Sequence, residues 1–286
     1  ATACVARRVS SDELMLVSWG DGSRVFEVRG EQVQVKSRAK LGRGLALDGV
    51  ARVLVVQPAS AGEDLGALLV EGVPLAERVP TVYALDLCAR TPREPPPERA
   101  VVVVDNPSAN FDQAEAEAGI VRGYSPAAQR LLRTDATRER LSLALTAPEV
   151  WLFHYSGHAR HAGNDGWDAE LLLAQETHLR VPDILALPRV PAHLVLSACE
   201  SGVHGADSAA RTLGLGQAFV IAGADEVLVT TRAVGAARTV RLMAALYAEL
   251  GTGHDLPGAL RAARVRVAAE HPGDRAYLGD YRVLVP

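Results

Sequence analysis

The sequence predicts an α/β fold in which helices cover both faces of a mostly parallel central sheet. After residue 98, short apolar runs alternate with longer amphipathic stretches, which is the order expected of parallel strands joined by crossover helices. Hydrophobic residues make up 48% of the 286-residue chain and aromatic residues only 5%, so Ala, Val and Leu carry the apolar load. This composition favours α/β layers over a β-sandwich.

A proline-rich segment, Thr91–Glu98, divides the chain. Its consecutive prolines exclude helix and predict an extended linker. We therefore expect an N-terminal strand-rich lobe, residues 1–97, and a second domain, residues 98–286. The strands predicted in the lobe are Leu14–Trp19, Arg24–Val28, Gln32–Val35, Val53–Gln57 and Thr81–Leu87.

The second part of the chain predicts strands and helices in alternation. The predicted strands are Ala100–Asp105, Val150–Ser156, Glu170–Ala174 (expected at an edge), Leu194–Ala198, Glu226–Thr231 and Arg282–Val285. The predicted helices are Phe111–Gly123, Thr137–Leu145, one beginning with Pro182–Ala186, Ser208–Ala222, Gly235–Leu250 and Leu256–Glu270. Asp135 or Thr134 is the expected N-cap of the second helix, and Gly223 is the expected stop of the helix that ends at Ala222.

Charge and cysteine usage exclude several classes of protein. The net charge of −4 and the sequence pI of about 6.1 argue against nucleic-acid binding. No apolar run approaches the ~20 residues of a membrane span, and no secretory signal peptide is present. The three cysteines, Cys4, Cys88 and Cys199, are an odd number, which predicts no disulfide scaffold and a reducing cytoplasm. Since the chain begins at Ala1 rather than Met, we expect a processed or excised part of a longer protein.

Two apolar runs each end on a reactive side chain, one at His158 and the other at Cys199. The carboxyl ends of parallel strands meet at one edge of a sheet, where α/β proteins bind their ligands. A Cys and a His at that edge form a nucleophile–base pair. The N–H groups of Cys199 and of Ala159 or Gly157 would form an oxyanion hole. The pattern therefore predicts a cysteine hydrolase.

Other uses of these residues remain open from the sequence. A buried cysteine is more often an inert core residue, and a histidine after a strand is more often a hydrogen-bonding group. Metal binding by His154, His158, His161 and Cys199 is the rival function. On a strand, however, His154 and His158 are ~13 Å apart, and the chain has no CxxC pair. We therefore expect no metal and no cofactor.

The segments FHYSGH, residues 153–158, and LVLSACESG, residues 194–202, resemble the CHAT family of caspase-like peptidases. That family is related to separase, the caspases and the gingipains, and the similarity covers most of residues 50–286. The resemblance implies a caspase-like three-layer α/β/α sandwich and an N-terminal lobe akin to a degenerate pseudo-protease. It implies a cysteine endopeptidase that works through a thioester, with His158 as base and Cys199 as nucleophile.

The resemblance also implies a substrate class, a mode of regulation and a biological role. It implies a protein substrate, latency until activation, and a role in bacterial defence or cell death in the cytoplasm. It implies a regulatory sensor domain or partner outside this chain, of the repeat or nucleotide-sensing kind. From charge and hydropathy we expect no nucleic-acid or membrane contact. Residues 161–167 and 203–207 are the expected gates. A catalytically silent scaffold and a small-molecule thiol hydrolase or transferase are the alternatives.

The chain departs from the family pattern at two places. Ala159 replaces the usual Gly after the histidine but keeps its N–H group. The loop that carries Arg232 also differs, so substrate preference cannot be copied from the family. Arg232 is a candidate for binding an acidic P1 side chain, against the alternative of a solvated arginine. Asp207 and Asp165 are candidates for a basic P1 side chain, and Ser197 is a further candidate for the S1 pocket.

Overall fold

The computed structural model describes residues 5–19, 22–57, 64–105, 107, 113–160, 166–198 and 214–286. Its strands are β1 Val5–Ala6, β2 Glu13–Trp19, β3 Arg24–Arg29, β4 Gln32–Ser37, β5 Arg52–Val56, β6 Leu69–Val70, β7 Val73–Pro74, β8 Thr81–Ala84, β9 Cys88–Ala89, β10 Ala100–Asp105, β11 Gln129–Leu132, β12 Val150–Ser156, β13 Ala159–Arg160, β14 Glu170–Leu172, β15 His178–Arg180, β16 His193–Ser197, β17 Glu226–Thr230 and β18 Tyr281–Val285. Its α-helices are α1 Arg38–Leu41, α2 Leu75–Arg78, α3 Gln113–Tyr124, α4 Arg138–Thr146, α5 Val181–Ala186, α6 Leu215–Ala222, α7 Ala236–Gly251, α8 Leu256–Glu270 and α9 Arg275–Leu278.

One sheet of 11 strands runs through both parts of the chain, in the order β11-β10-β12-β16-β17-β18-β8-β5-β2-β3-β4. Its neighbours are parallel except for the pairs β17–β18, β2–β3 and β3–β4. The C-terminal strand β18 lies between β17 and β8 and so connects the strands that precede the proline-rich segment to those that follow it. The predicted mostly parallel α/β fold is confirmed, whereas the domain boundary at residue 97 stays a prediction.

The buried strands direct alternate side chains to two separate cores. In β10, Val102 and Val104 pack in the core beneath α4, α5 and α6, whereas Val101 and Val103 face α3, α7 and α8. A strand covered on both faces needs apolar residues at every position, which is why β10 reads as an uninterrupted apolar run. The result is a three-layer α/β/α arrangement. Among the described helices, none is both long and apolar enough to cross a membrane.

Two local predictions are wrong, and one strand was missed. The segment at Glu170 is not an edge strand: β14 is the middle strand of a separate three-stranded sheet, β13-β14-β15. The N-cap of α4 is Thr137, whose hydroxyl accepts the N–H of Arg140 at 3.4 Å, rather than Asp135 or Thr134. The edge strand of the large sheet, β11, was not predicted, because Gln129 and Arg130 interrupt its apolar pattern.

The stop of α6 at Gly223 is confirmed. This residue has a φ angle of +120°, and L-residues with a side chain rarely adopt such a backbone conformation. Its N–H donates to the carbonyl oxygens of Phe219 and Val220 and so satisfies the last turn of the helix.

The proline-rich segment forms neither helix nor strand from Thr91 to Pro97, as predicted. It is nevertheless fixed to the second part of the chain. The Arg93 backbone N–H donates to Asp225 Oδ2 at 3.1 Å, and its guanidinium donates to the carbonyl oxygen of Val190 at 2.7 Å. The segment is therefore a packed strap rather than a free spacer.

Cys88, in β9, forms a disulfide bond, which the cysteine count did not predict. An odd number of cysteines excludes complete pairing, but it leaves room for a single bond. The partner cysteine lies outside the described residues. β9 pairs with β1 in antiparallel register.

We expect the replacement of glycine by alanine to have opposite effects on stability at two helical positions, 216 and 119. A Cβ atom at Gly216 in α6 would lie 2.5 Å from Val229 Cγ1 and 2.9 Å from Leu284 Cδ1, so Gly216→Ala should lower the free energy of unfolding by about 1–3 kcal/mol. A Cβ at Gly119 in α3 has no atom within 4 Å, so Gly119→Ala should raise it by about 0.5–1 kcal/mol. Urea unfolding measures both. A Gly216→Ala variant as stable as the parent would contradict the close packing of α6 on the sheet.

Candidate active site

The described part of the site is built around the backbone of His158. This residue lies between the end of β12 and the start of β13, where the chain leaves the large sheet for the small one. Its carbonyl oxygen lies 2.7 Å from the Tyr155 hydroxyl and also accepts the Leu172 N–H at 2.9 Å. The Tyr155 hydroxyl lies 2.7 Å from the Leu172 carbonyl oxygen as well. One buried tyrosine thus holds the bend that presents His158.

Gly157 makes this bend possible because no side chain fits at its position. A Cβ atom there would lie 2.7 Å from Tyr155 Oη and 3.0 Å from Pro107 Cδ. Burial raises the pKa of Tyr155 well above its ordinary value, so the hydroxyl remains a donor throughout the working pH range. The Tyr155 side chain is therefore the specific neighbour that requires glycine at position 157.

A row of polar side chains marks the carboxyl ends of three adjacent parallel strands. Asp105 on β10 pairs in register with Ser156 on β12, and Ser156 pairs with Ser197 on β16. All three are buried, and Asp105 Oδ1, Ser156 Oγ and Ser197 Oγ have no hydrogen-bond partner among the described residues. Buried polar atoms are rarely left unpaired, so this row is a place where a bound molecule or ordered water would gain hydrogen bonds.

The described end of the second strand is anchored from the next strand. The Thr230 hydroxyl donates to the carbonyl oxygen of Ala198 at 2.5 Å. Cys199 is the following residue and lies outside the described residues, as do Asp165 and Asp207. The predicted gates, residues 161–167 and 203–207, are described only at 166 and 167. The N–H groups assigned to the oxyanion hole at Gly157 and Ala159 follow the end of β12, with Gly157 buried and Ala159 half-buried.

The S1 candidates that the structure describes differ in their surroundings. Arg232 follows β17, and its side chain is 71% exposed while its Nε donates to Asp280 Oδ1 at 2.8 Å. This hydrogen bond raises the pKa of the Arg232 guanidinium. Ser197 is the last residue of β16 and is buried. The partnership with Asp280 could not be read from the sequence, since 48 residues separate the pair.

Asp105 is a polar residue at this edge that the sequence analysis did not select. It is fully buried, and its Oδ2 accepts the Arg130 Nε–H at 2.8 Å. Burial raises the pKa of Asp105 against the opposing effect of Arg130. The sequence does contain a signal that could have identified Asp105. It is an acidic residue directly after four valines, at the end of a predicted buried strand like the one that precedes His158.

The small sheet beside His158 is held together by a buried carboxylate. Glu170 on β14 lies 3.3 Å from Arg160 and 3.0 Å from Arg180, on the two flanking strands. His178 Nδ1 lies 3.7 Å from the same carboxylate. Both arginines are more than half exposed, so this flank of the site presents guanidinium groups to the solvent.

His154 is a core residue. It is fully buried, with Nδ1 2.8 Å from the Tyr247 hydroxyl and Nε2 3.3 Å from Glu117 Oε2. Burial raises the pKa of Tyr247 well above its ordinary value. Throughout the described ranges, His, Cys, Asp and Glu side chains form no group of three that could hold a metal ion.

Comparison with known families and structures gives a consistent picture. The CHAT domain family model matches residues 58–277. No curated protein matches the chain by sequence. The fold is similar to that of gingipain R (RgpB), an Arg-specific cysteine proteinase, with 12% identity and a TM-score of 0.59 over 85% of this chain and 64% of that one. The complex of Porphyromonas gingivalis RgpB pro- and mature domains matches with 13% identity and a TM-score of 0.59, over 85% and 65%.

A second group of similar structures comes from yeast. Separase in the Saccharomyces cerevisiae separase–securin complex matches with 12% identity and a TM-score of 0.61, over 89% of this chain and 16% of that one. This chain thus spans less than two thirds of each of these solved chains. The likeness shows the fold, which is that of the caspase-like cysteine peptidases.

We expect Tyr155→Phe to destabilise the protein. The substitution removes the only hydroxyl that the described residues direct at the carbonyl oxygens of His158 and Leu172, and losing a buried hydrogen bond costs about 1–2 kcal/mol of unfolding free energy. The matched control is Tyr124→Phe. Tyr124 is 39% exposed and its hydroxyl has no hydrogen bond among the described residues, so the change should stay below about 0.5 kcal/mol. Equal effects in urea unfolding would show that the Tyr155 hydroxyl does not hold the bend.

Proposed function

The chain belongs to the CHAT domain family, and from this we infer that it is a cysteine endopeptidase that uses His158 and Cys199. The observation that supports the proposal best is the register of β12 with β16. Ser156 pairs with Ser197 on these parallel strands, and each candidate residue follows two positions later in the sequence. Parallel strands in register bring their following residues to the same edge of the sheet.

The proposed reaction proceeds by acyl transfer. His158 accepts the proton of the Cys199 thiol, and the thiolate forms a C–S bond with the scissile carbonyl carbon. Backbone N–H groups of Cys199 and of Ala159 or Gly157 stabilise the oxyanion. The protonated His158 then donates its proton to the leaving amine as the C–N bond breaks, which leaves a thioester. Water, deprotonated by His158, hydrolyses the thioester and releases the carboxylic acid and the free thiol.

Protein substrates and protein regulators fit this proposal. The solved relatives include a peptidase with its pro-domain and separase with securin, so both are peptidase folds seen in complex with another polypeptide. For this chain we extend the idea to a latent enzyme that a sensor domain or partner activates. The role in bacterial defence or cell death and the cytoplasmic location belong to the same proposal.

A panel of peptides with different P1 residues decides between the two S1 proposals. An acidic P1 preference that Arg232→Gln removes would assign the pocket to Arg232, whose terminal guanidinium nitrogens have no hydrogen bond with any described residue. Arg266→Gln is the matched control, because Arg266 also donates Nε to a carboxylate at 3.0 Å and is also exposed. A basic P1 preference would instead assign the pocket to an acid, and Asp165→Asn, Asp207→Asn and Asp105→Asn would then be compared.

We expect iodoacetamide at neutral pH, after reduction of the disulfide, to alkylate Cys199 about tenfold or more faster than Cys4 and Cys88. The reason is that a neighbouring imidazole increases the thiolate fraction of a cysteine. Mass spectrometry of the peptides measures each rate. His158→Ala should remove the advantage of Cys199.

The matched control is His271→Ala, at an exposed histidine that follows α8. It should leave the labelling rate of Cys199 unchanged. Slow labelling that does not depend on His158 would contradict a competent dyad in the resting protein. Cleavage of a fluorogenic peptide library, abolished by Cys199→Ser, then separates a peptidase from a silent scaffold.

A further inference from the structure

A cavity of about 1100 Å³ opens at the opposite end of the sheet from His158. Its floor is formed where β10, β12 and β16 begin, at Val101, Trp151 and His193. The end of α3, the end of α7 and the start of α8 form its walls. Trp151 and Ser156, near the two ends of β12, are about 17 Å apart along the strand, so this cavity is distinct from the candidate active site.

The His, Asp and Arg side chains that line the cavity have a polar partner, with one exception. His193 Nδ1 lies 3.0 Å from Glu226, His254 Nδ1 lies 3.3 Å from Glu249, and Asp255 lies 2.5 Å from Arg52. Arg99 is exposed and has no hydrogen bond or ion pair with any described residue. The uncompensated charge of the lining is therefore positive.

The lining also offers aromatic surface beside that charge. The Arg99 guanidinium carbon lies 6.0 Å from the centroid of the Trp151 ring, and the Tyr124 ring lies 5.4 Å from that of Tyr247. A concave, partly apolar site with one directed polar group is the usual form of a small-molecule pocket. A guanidinium group pairs readily with the planar oxygens of a carboxylate or phosphate.

The back wall of the cavity is connected to the strand that leads to His158. Tyr247 lines the cavity, and its hydroxyl lies 2.8 Å from Nδ1 of the fully buried His154. His154 stands on β12, between Trp151 in the cavity and the bend at Gly157. Glu117 of α3 holds the other side of the imidazole at 3.3 Å. A molecule that packs against Tyr247 would therefore touch a side chain that is hydrogen-bonded to β12.

We propose that this cavity binds a small planar aromatic anion, with Arg99 on its carboxylate or phosphate and Trp151 and Tyr124 on its ring. We further propose that the bound molecule changes the reactivity of the opposite strand end through Tyr247 and His154. The second part rests on the proposed function, whereas binding does not.

Calorimetry with 2-naphthoate and its neutral counterpart 2-naphthamide tests the binding. Naphthoate should bind saturably and at least about tenfold more tightly than the amide, because only the anion forms a charge-assisted hydrogen bond. Naphthyl phosphate, in a parallel titration, distinguishes a phosphate site from a carboxylate site. Arg99→Gln should remove the advantage of both anions, and Arg43→Gln, an exposed arginine outside the cavity, should not. Equal affinities for acid and amide, equal effects of the two variants, or no saturable binding would overturn the proposal.

The coupling is tested by the alkylation rate of Cys199 with and without saturating naphthoate. A coupling of ordinary size changes the rate about fivefold or more. Tyr247→Phe keeps the ring but loses the hydroxyl that meets His154, so naphthoate should still bind while the rate no longer responds. Tyr281→Phe also loses a buried hydroxyl, one that lies 2.9 Å from Thr239 Oγ1 outside the cavity, and should keep both effects. Binding without any change in rate in the parent protein would overturn the coupling and leave the binding site standing, even if no peptide substrate is ever cleaved.

Discussion

The parallel pairing of β12 with β16 is the constraint on which the rest of the structure depends. Both strands are buried on both faces, so each side chain of β12 belongs to one of two cores: Phe153 and Tyr155 to one, Leu152 and His154 to the other. A slip of one residue would exchange these faces and place the imidazole of His154 in an apolar core. The cores thus fix the register, and the register fixes which residues reach the edge of the sheet.

A second contact fixes the path of the chain where it leaves the edge of the sheet. A parallel strand does not by itself determine where the chain goes after its last residue. Here the Tyr155 side chain, anchored in the core, reaches the carbonyl oxygens of His158 and Leu172. It thereby ties the end of β12 to the small sheet, whose own strands are held by Glu170 and its two arginines. The histidine proposed as the base thus stands on a bend fixed from both sides.

The features that the sequence predicted well are those set by local pattern and by burial. An apolar run covered on both faces, such as β10, can hardly be anything other than an interior strand, and Gly223 marks a helix end for a steric reason. The edge strand β11 was missed because an edge needs fewer apolar residues. Contacts between segments that are distant in sequence could not be predicted, because no local pattern shows which segments meet in the fold. The pairs of Arg232 with Asp280 and of His154 with Glu117 are examples.

The contact between Glu117 and His154 is hard to explain by stability alone. Both side chains are fully buried, and neither oxygen of Glu117 nor Nε2 of His154 has a hydrogen bond among the described residues. Apolar side chains of similar volume at these positions would stabilise a protein as well or better. Polar contacts are directional, whereas apolar packing is not. Glu117 of α3 and Tyr247 of α7 approach the two nitrogen atoms of the His154 imidazole and so fix the rotation of β12 about its axis. Because a paired strand is stiff, the rotation set at His154 is carried along β12 to its last residue, Ser156, ~7 Å away. The internal polar contact therefore helps to define the geometry of the edge, at a point to which neither the cavity nor the candidate active site extends.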